Sequence, residues 1–501
     1  MCGLCAAGIA VGGAGPSGAA GRVDPPAKPA PEELRQPSLL RSADGVLNVR
    51  LELTLGRTAV AGRFATLLRY NGEVPGPTLL LRPGDRLSVE LVNSSDQPTN
   101  LHTHGLPLSP TGNADNPFVV VDPGATFRYD YRIPADQPAG TYWYHPHHHG
   151  LAADQVFGGL YGAIVVDDRS TSSAAFGTDT GSSAAARGGV GTAADRVVVI
   201  SDISLDRNGD VRAASAVQRR MGREGELVLV NGQLRPRLTT RPGARERWHL
   251  VNACVSRFLR LRLDGQGLEL AGIDLPLAAP RNVREIFLAP GNRADVVITT
   301  RSGSSVLRAV AVPRVAKGMS FGLGTGGMGG PGPGSAEGGP GPVDLAELVV
   351  AGSPDLTRWP ELPTGAVPDL RGAPLTAHRT ITLAMGMEMQ GPVGMSFSID
   401  GHRFDPARVD QRVPAGAVEQ WTIVNTSEMD HPFHLHVWPM QVVRVGSTAA
   451  DEAIWQNVVN VPARSSTVVL IRFERVTGRT VYYCHILDHE DGGMMGVVEV
   501  A

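Results

Sequence analysis

The sequence predicts an all-β fold of three antiparallel β-sandwich domains, and three observations carry that expectation. At 501 residues the chain exceeds one ordinary core and fits about three domains. Glycine (61) and proline (38) make up about a fifth of it and its apolar runs are short, a composition for many turns joining many strands. The chain also repeats itself: PGDRLSVELVN (83–93), PGARERWHLVN (242–252) and AGAVEQWTIVN (415–425) are each a glycine turn followed by alternating polar and apolar residues that end at asparagine. Period-two alternation marks a strand with one face on a core.

A second set of matched strands, DPGATFRYDYRI (122–133), APGNRADVVITT (289–300) and VPARSSTVVLIRF (461–473), falls once in each third. The expected domains are therefore 40–168, 195–352 and 372–501. Residues 169–194, rich in Ser, Ala and Gly, read as a flexible linker, 353–371 as a second linker, and the Gly-rich 317–342 as a mobile loop inside the middle domain. Residues 1–39 read as a remnant of an export signal or a linker: MCGLCAAGIAVGGAGPSGAAG is small and apolar, but its first basic residue is Arg22, so the positive start of such a signal is missing. A start codon assigned too far downstream would account for this.

A formal net charge of −3 supplies no basic field for nucleic acid or an anionic membrane, and no apolar run reaches the length of a membrane span. Four cysteines, Cys2, Cys5, Cys254 and Cys484, cannot staple a chain of this size. Cys254, in the strand-like WHLVNACV, reads as a buried core thiol. Cys2 and Cys5 form a C-x-x-C with no second ligand pair near it.

The histidines follow the repeat. Nine and eleven positions after Asn93 stand His102 and His104; nine and eleven after Asn425 stand His434 and His436; the same offsets from Asn252 give Leu261 and Leu263. On a strand, an H-x-H puts both imidazoles on one face. A further pair, His145 and His147, lies in GTYWYHPH; aligning Gly140 with Gly478 brings His145 onto Tyr483 and His147 onto His485. One exposed histidine is ordinary polar surface, but three full pairs and a half pair in register with a repeat are a binding pattern for the outer units. His148 and His149 read as solvated loop, and His249, His378 and His402 have no matching offsets. Near the C-terminus, VYYCHILDHEDGGMM gathers Cys484, His485, His489, Met494 and Met495, the soft sulfur and borderline nitrogen mixture that suits copper.

With HTHG, WYHPHHHG, HPFHLH and a C-H-x(3)-H-x(4)-M run in that order, residues 45–501 resemble the three-domain multicopper oxidases of the bacterial laccase and cuprous-oxidase type. The resemblance implies three cupredoxin-like Greek-key sandwiches and four coppers per chain. It implies a blue (type 1) copper on His431, Cys484 and His489 with Met494 as weak axial ligand, and a type 2 copper on His102 and His434. It implies one type 3 copper on His104, His145 and His485, and its partner on His147, His436 and whatever stands at position 483, where this chain has Tyr483. Asp115 and Glu490 match positions that relay protons to the cluster, although on the residues alone each also reads as a surface carboxylate. Electrons would pass from Cys484 to the adjacent His485, and dioxygen would be reduced to water.

The reductant is less legible: phenols and aromatic amines, or metal ions such as Cu(I). Met385, Met387, Met389 and Met395, with Met319 and Met328 in the Gly-rich loop, offer thioethers that prefer Cu(I), although methionine also fills irregular packing gaps. The expected partners are dioxygen and a small reductant, with no nucleic acid and no membrane span, for a monomer exported to the periplasm or the medium. The competing expectation is a cupredoxin-fold protein with a degraded cluster, of which Tyr483 would be the first sign, acting as a non-catalytic assembly or copper-binding protein.

Overall fold

The computed structural model describes residues 31–167, 195–313, 341–357, 366–388 and 394–501. The N-terminal C-x-x-C, the linker at 169–194, nearly all of the Gly-rich loop and Met389 lie outside them. Within the described residues the chain forms six sheets and three short helices, Ala152–Phe157, Ala216–Met221 and Leu487–Asp491.

The repeated segments are the strands Arg86–Asn93, Arg245–Asn252 and Val418–Asn425, and each holds the same place in its sheet. Each lies parallel to the first long strand of its unit (Val46–Val60, Asp195–Ile203, Ala377–Glu388) and antiparallel to its second-set partner (Thr126–Arg132, Arg293–Thr299, Ser465–Arg472). The sheets are thus mixed rather than purely antiparallel. Alternation reports which face of a strand is buried, not the direction of its neighbours, and a parallel neighbour needs the crossover through the opposing sheet that each unit makes.

Burial alternates along Arg86–Asn93 and Val418–Asn425, but Arg245–Asn252 is buried on both faces beyond its first residue. The outer face of the middle strand packs against Gly140–His145 of the first unit, where the Thr141 hydroxyl lies 2.7 Å from His249 Nδ1 and donates to Asp295. Burial alone would lower the pKa of His249, but its bonds to Asp195 and Asp295 raise it. This histidine joins two units rather than binding a ligand.

The terminal asparagines fasten the loops that follow. Asn93 donates to the carbonyls of Gln97 and Val121, Asn252 to Arg257 and Leu288, and Asn425 to Met429 and Val461. Each Oδ1 accepts from the backbone N–H two residues on, an Asx turn. Those loops lead into the ligand-bearing strands His102–His104 and His431–Leu435 and their leucine counterpart Leu259–Leu263. Leu261 and Leu263 are buried in the middle core, as is Cys254, which sits two residues past the end of its strand. His102 pairs across the sheet with His145, and His434 with Tyr483, so the sequence alignment of Gly140 with Gly478 is also a structural one.

Each sheet pair encloses its own apolar cluster; a fourth cluster, with Trp143, Val199, Val481, Tyr483 and Leu487, draws on all three units. No helix among the described residues is long and apolar enough to cross a membrane.

Candidate metal centre

Two buried donor sets emerge. In the first, His431 Nδ1 stands 3.3 Å from Cys484 Sγ and 3.3 Å from His489 Nδ1, and the sulfur is 3.7 Å from His489 Nδ1. All three side chains are fully buried, and Met494 beside them is too. The outer nitrogens decide which lone pairs face inward. His431 Nε2 is 2.7 Å from the Ser427 hydroxyl, and His489 Nε2 donates to the Arg220 carbonyl at 3.0 Å, so both Nδ1 atoms are left for the site. Ser427 also bonds Asn425 Oδ1, which ties the repeated strand to this set.

The second set joins the outer units. The donor atoms of His102, His104 and His145 lie within 4.8 Å of one another, as do those of His102, His434 and His436. His102 and His436 stack at 3.9 Å and His104 and His434 at 4.1 Å between centroids; His147 and His485 complete the group. Here too the tautomers are fixed from outside: Nδ1 of His102 donates to Asp115 (3.0 Å), that of His145 to the Pro146 carbonyl (2.9 Å) and that of His434 to the Asn457 carbonyl (2.7 Å).

These sets fit cations. Nε2 of His102, His104, His147 and His434, Nδ1 of His436 and both nitrogens of His485 make no hydrogen bond, an arrangement a protein interior rarely tolerates unless something else satisfies the lone pairs. Burial lowers the pKa of His431 and His485 to about 3, and that of His104, His145, His147, His434 and His436 well below the usual value, so the imidazoles are neutral donors. Burial also pushes the Cys484 thiol up, so a cation is needed to make it a thiolate. One thiol and two imidazoles suit copper, and the imidazole group is large enough for more than one ion.

Tyr483 is fully buried inside this second set, its hydroxyl 3.4 Å from His436 Nε2 and its ring 4.7 Å from that of His147. Asp115 orients His102 and accepts from Thr103 N–H. Glu490 is not a surface carboxylate: it is fully buried, Oε1 is 3.5 Å from His147 Nε2, and burial, then Asp491, raises its pKa well above the usual range. His148 is half-buried and His149 exposed, as solvated loop residues should be.

Met385 is half-buried and packs on the core that contains Cys484. It lies directly across the hairpin from Phe397, whose ring stacks on His489 at 4.6 Å. Met387 pairs with Met395 in that hairpin; Met319, Met328 and Met389 fall outside the described residues. The sequence did not point to Arg220, Asn457 or Ser427. Only Ser427 carried a signal, sitting two residues after the repeated asparagine as Ser95 does.

Known proteins resemble this chain along most of its length. Three family models, each described as multicopper oxidase, match residues 53–171, 195–313 and 376–501. A multicopper oxidase of Staphylococcus aureus is 28% identical over 91% of this chain and 89% of its own length. A laccase of Bacillus subtilis is 25% identical over 86% and 89%. A solved structure of a Campylobacter jejuni multicopper oxidase, described as a metallo-oxidase, superposes with a TM-score of 0.77 at 27% identity, over 94% of this chain and 96% of that one.

Proposed function

The chain belongs to the multicopper oxidase family and is an oxidoreductase of the laccase-like type, and we propose that its two buried donor sets divide four coppers as follows. His431, Cys484, His489 and Met494 hold the blue copper; His102 and His434 the type 2 copper; His104, His145 and His485 one type 3 copper; and His147 and His436, with Tyr483, the other. Copper held there would supply one-electron oxidation of a reductant and, after four such oxidations, the four-electron, four-proton reduction of dioxygen to water. The observation that carries the reading is the complete His431–Cys484–His489 triad one residue from His485, which a non-catalytic binding protein does not need. Copper-loaded protein should be blue and consume dioxygen; colourless protein with no uptake would refute the reading.

The same proposal includes the domain division at 40–168, 195–352 and 372–501, supported by sheet pairs drawn from 39–166, 195–350 and 377–500. It includes a monomer and export from the cytoplasm.

Asp115 and Glu490 serve as proton carriers. Asp115 accepts from His102 Nδ1, and Glu490, whose pKa burial raises, stands with Oε1 beside His147, where a carboxylic acid can offer a proton. Glu490→Gln keeps the shape and removes the transferable proton. Reoxidation by dioxygen should slow on the order of 10²-fold while the blue site is reduced at the normal rate, as stopped-flow absorbance would show. Equal rates would make Glu490 a packing residue.

For the reductant, the metal-ion reading gains from the site's lid. Phe397 and the Arg220 carbonyl cover His489, and Met385 stands across from Phe397. Replacing Met385, Met387 and Met389 by leucine conserves volume and removes the thioethers. Cuprous oxidation should fall while phenol oxidation holds or rises; parallel changes in both would reduce these methionines to packing.

A further inference from the structure

We infer that the middle domain, which carries no ligand, builds the cluster's back wall: the buried Asp274–Arg293 ion pair and Gly291 are positioning residues for His434 and His485. This rests on the reading of the second donor set as a copper cluster.

Asp274 sits in the turn between the strands Gly267–Ile273 and Leu275–Val283 with φ at 61°, a left-handed conformation that aims its carboxylate inward. Its Oδ1 accepts from Arg293 N (3.0 Å) and Nη1 (2.9 Å). Its Oδ2 accepts from Asn292 Nδ2 (2.9 Å) and from the backbone N–H groups of Asn457 (2.8 Å) and Val458 (3.0 Å). The peptide held in this way presents the Asn457 carbonyl to His434 Nδ1. Asp274 therefore fixes the atom that fixes the imidazole.

Arg293, with a fully buried side chain, spans all three units. Nε donates to the Thr141 carbonyl (3.2 Å), on the strand that ends at His145, and Nη2 donates to Asn457 Oδ1 (2.8 Å). Gly105, the glycine of HTHG, has φ at 93°, and a Cβ there would run into Arg293. Gly291, with φ at 86°, lies against His485: a Cβ would stand 2.6 Å from Nε2. With both of its nitrogens unbonded, His485 is placed by this backbone contact and by its own chain rather than by a hydrogen bond.

The test uses the full copper-loaded chain. Asp274→Asn keeps shape and tolerates positive φ but removes the charge; Asn457→Ala leaves the carbonyl to His434 and removes only the hold on Arg293. In both variants, competition with a copper chelator should show cluster copper held about 10- to 100-fold more weakly, with a changed EPR signal from the type 2 copper. The blue band per chain and the KM for reductant should not change, while kcat falls with reoxidation. Unchanged cluster retention and EPR signal in both variants would overturn the inference, and so would blue and cluster copper lost in proportion, since the pair would then merely hold the domains together. Wild-type protein that binds copper only at the blue site would sink the cluster reading, and this inference with it; a normal wild-type cluster matched by both variants sinks the inference alone.

Discussion

Cys484→Ser should abolish the blue absorbance and the oxidation of every reductant, phenolic or metallic, while the imidazole cluster keeps its copper. Among the described residues, sulfur at position 484 is the only thiol within reach of both His431 and His489, and its residue is followed directly by His485 of the cluster. A serine hydroxyl is nearly the same shape but far harder and far less acidic than a thiol, so it supplies neither the soft ligand nor the covalent route for electrons. Burying the hydroxyl costs about 1–3 kcal/mol, which the well-packed third core can absorb without losing the fold. Absorbance, steady-state oxygen uptake and the EPR signal of the type 2 copper, measured on one preparation, check the three parts separately. Retained turnover would mean that electrons reach the cluster by another path.

Much of this site was legible because the chain repeats. Register with Asn93 and Asn425 singled out His102, His104, His434 and His436, and the leucines at the matching offsets from Asn252 marked the middle unit as ligand-free. The same comparison exposed Tyr483, which the structure places opposite His434 as His145 stands opposite His102. What stayed hidden is what has no internal copy. Asp274 and Asn457 lie 183 residues apart, and neither their spacing nor their residue types announce a contact. Glu490 stands between His489 and Asp491 in a run that reads as polar surface. Its helix is buried only because Arg223 of the middle unit comes down on Asp488 and because Asp491 accepts the N–H groups of Gly150, Ala152 and Ala153. The burial of both faces of Arg245–Asn252 beyond its first residue was hidden for a related reason: its polar face looks solvated until Thr141 and Asp295 are seen to cover it.

Tyr483→His should strengthen copper binding at the cluster and speed its reoxidation, with the blue site unchanged. Tyr483 is in contact with His436 and His147, and under the proposed division of the coppers it takes the place of an imidazole and leaves that end of the cluster one nitrogen donor short. A neutral phenol is a poor ligand, and burial, followed by Glu490 and Asp115, pushes its pKa well above the usual value near 10, so only a closely bound cation could draw out the proton. Histidine brings a neutral donor that needs no deprotonation, and the smaller ring fits a space already lined by imidazoles. We expect the histidine variant to gain up to about one copper per chain that resists a chelator, with reoxidation faster by about 10-fold or more, the scale on which the surroundings of a metal ligand act. Tyr483→Phe separates the two roles of the phenol. If the hydroxyl contributes nothing, phenylalanine matches the wild type in copper retention and rate; if it is a ligand, phenylalanine falls below the wild type. Loss of both copper and rate in the histidine variant would reverse the reading. It would make Tyr483 a ligand that this cluster, its Glu490 and its Asp115 are built around.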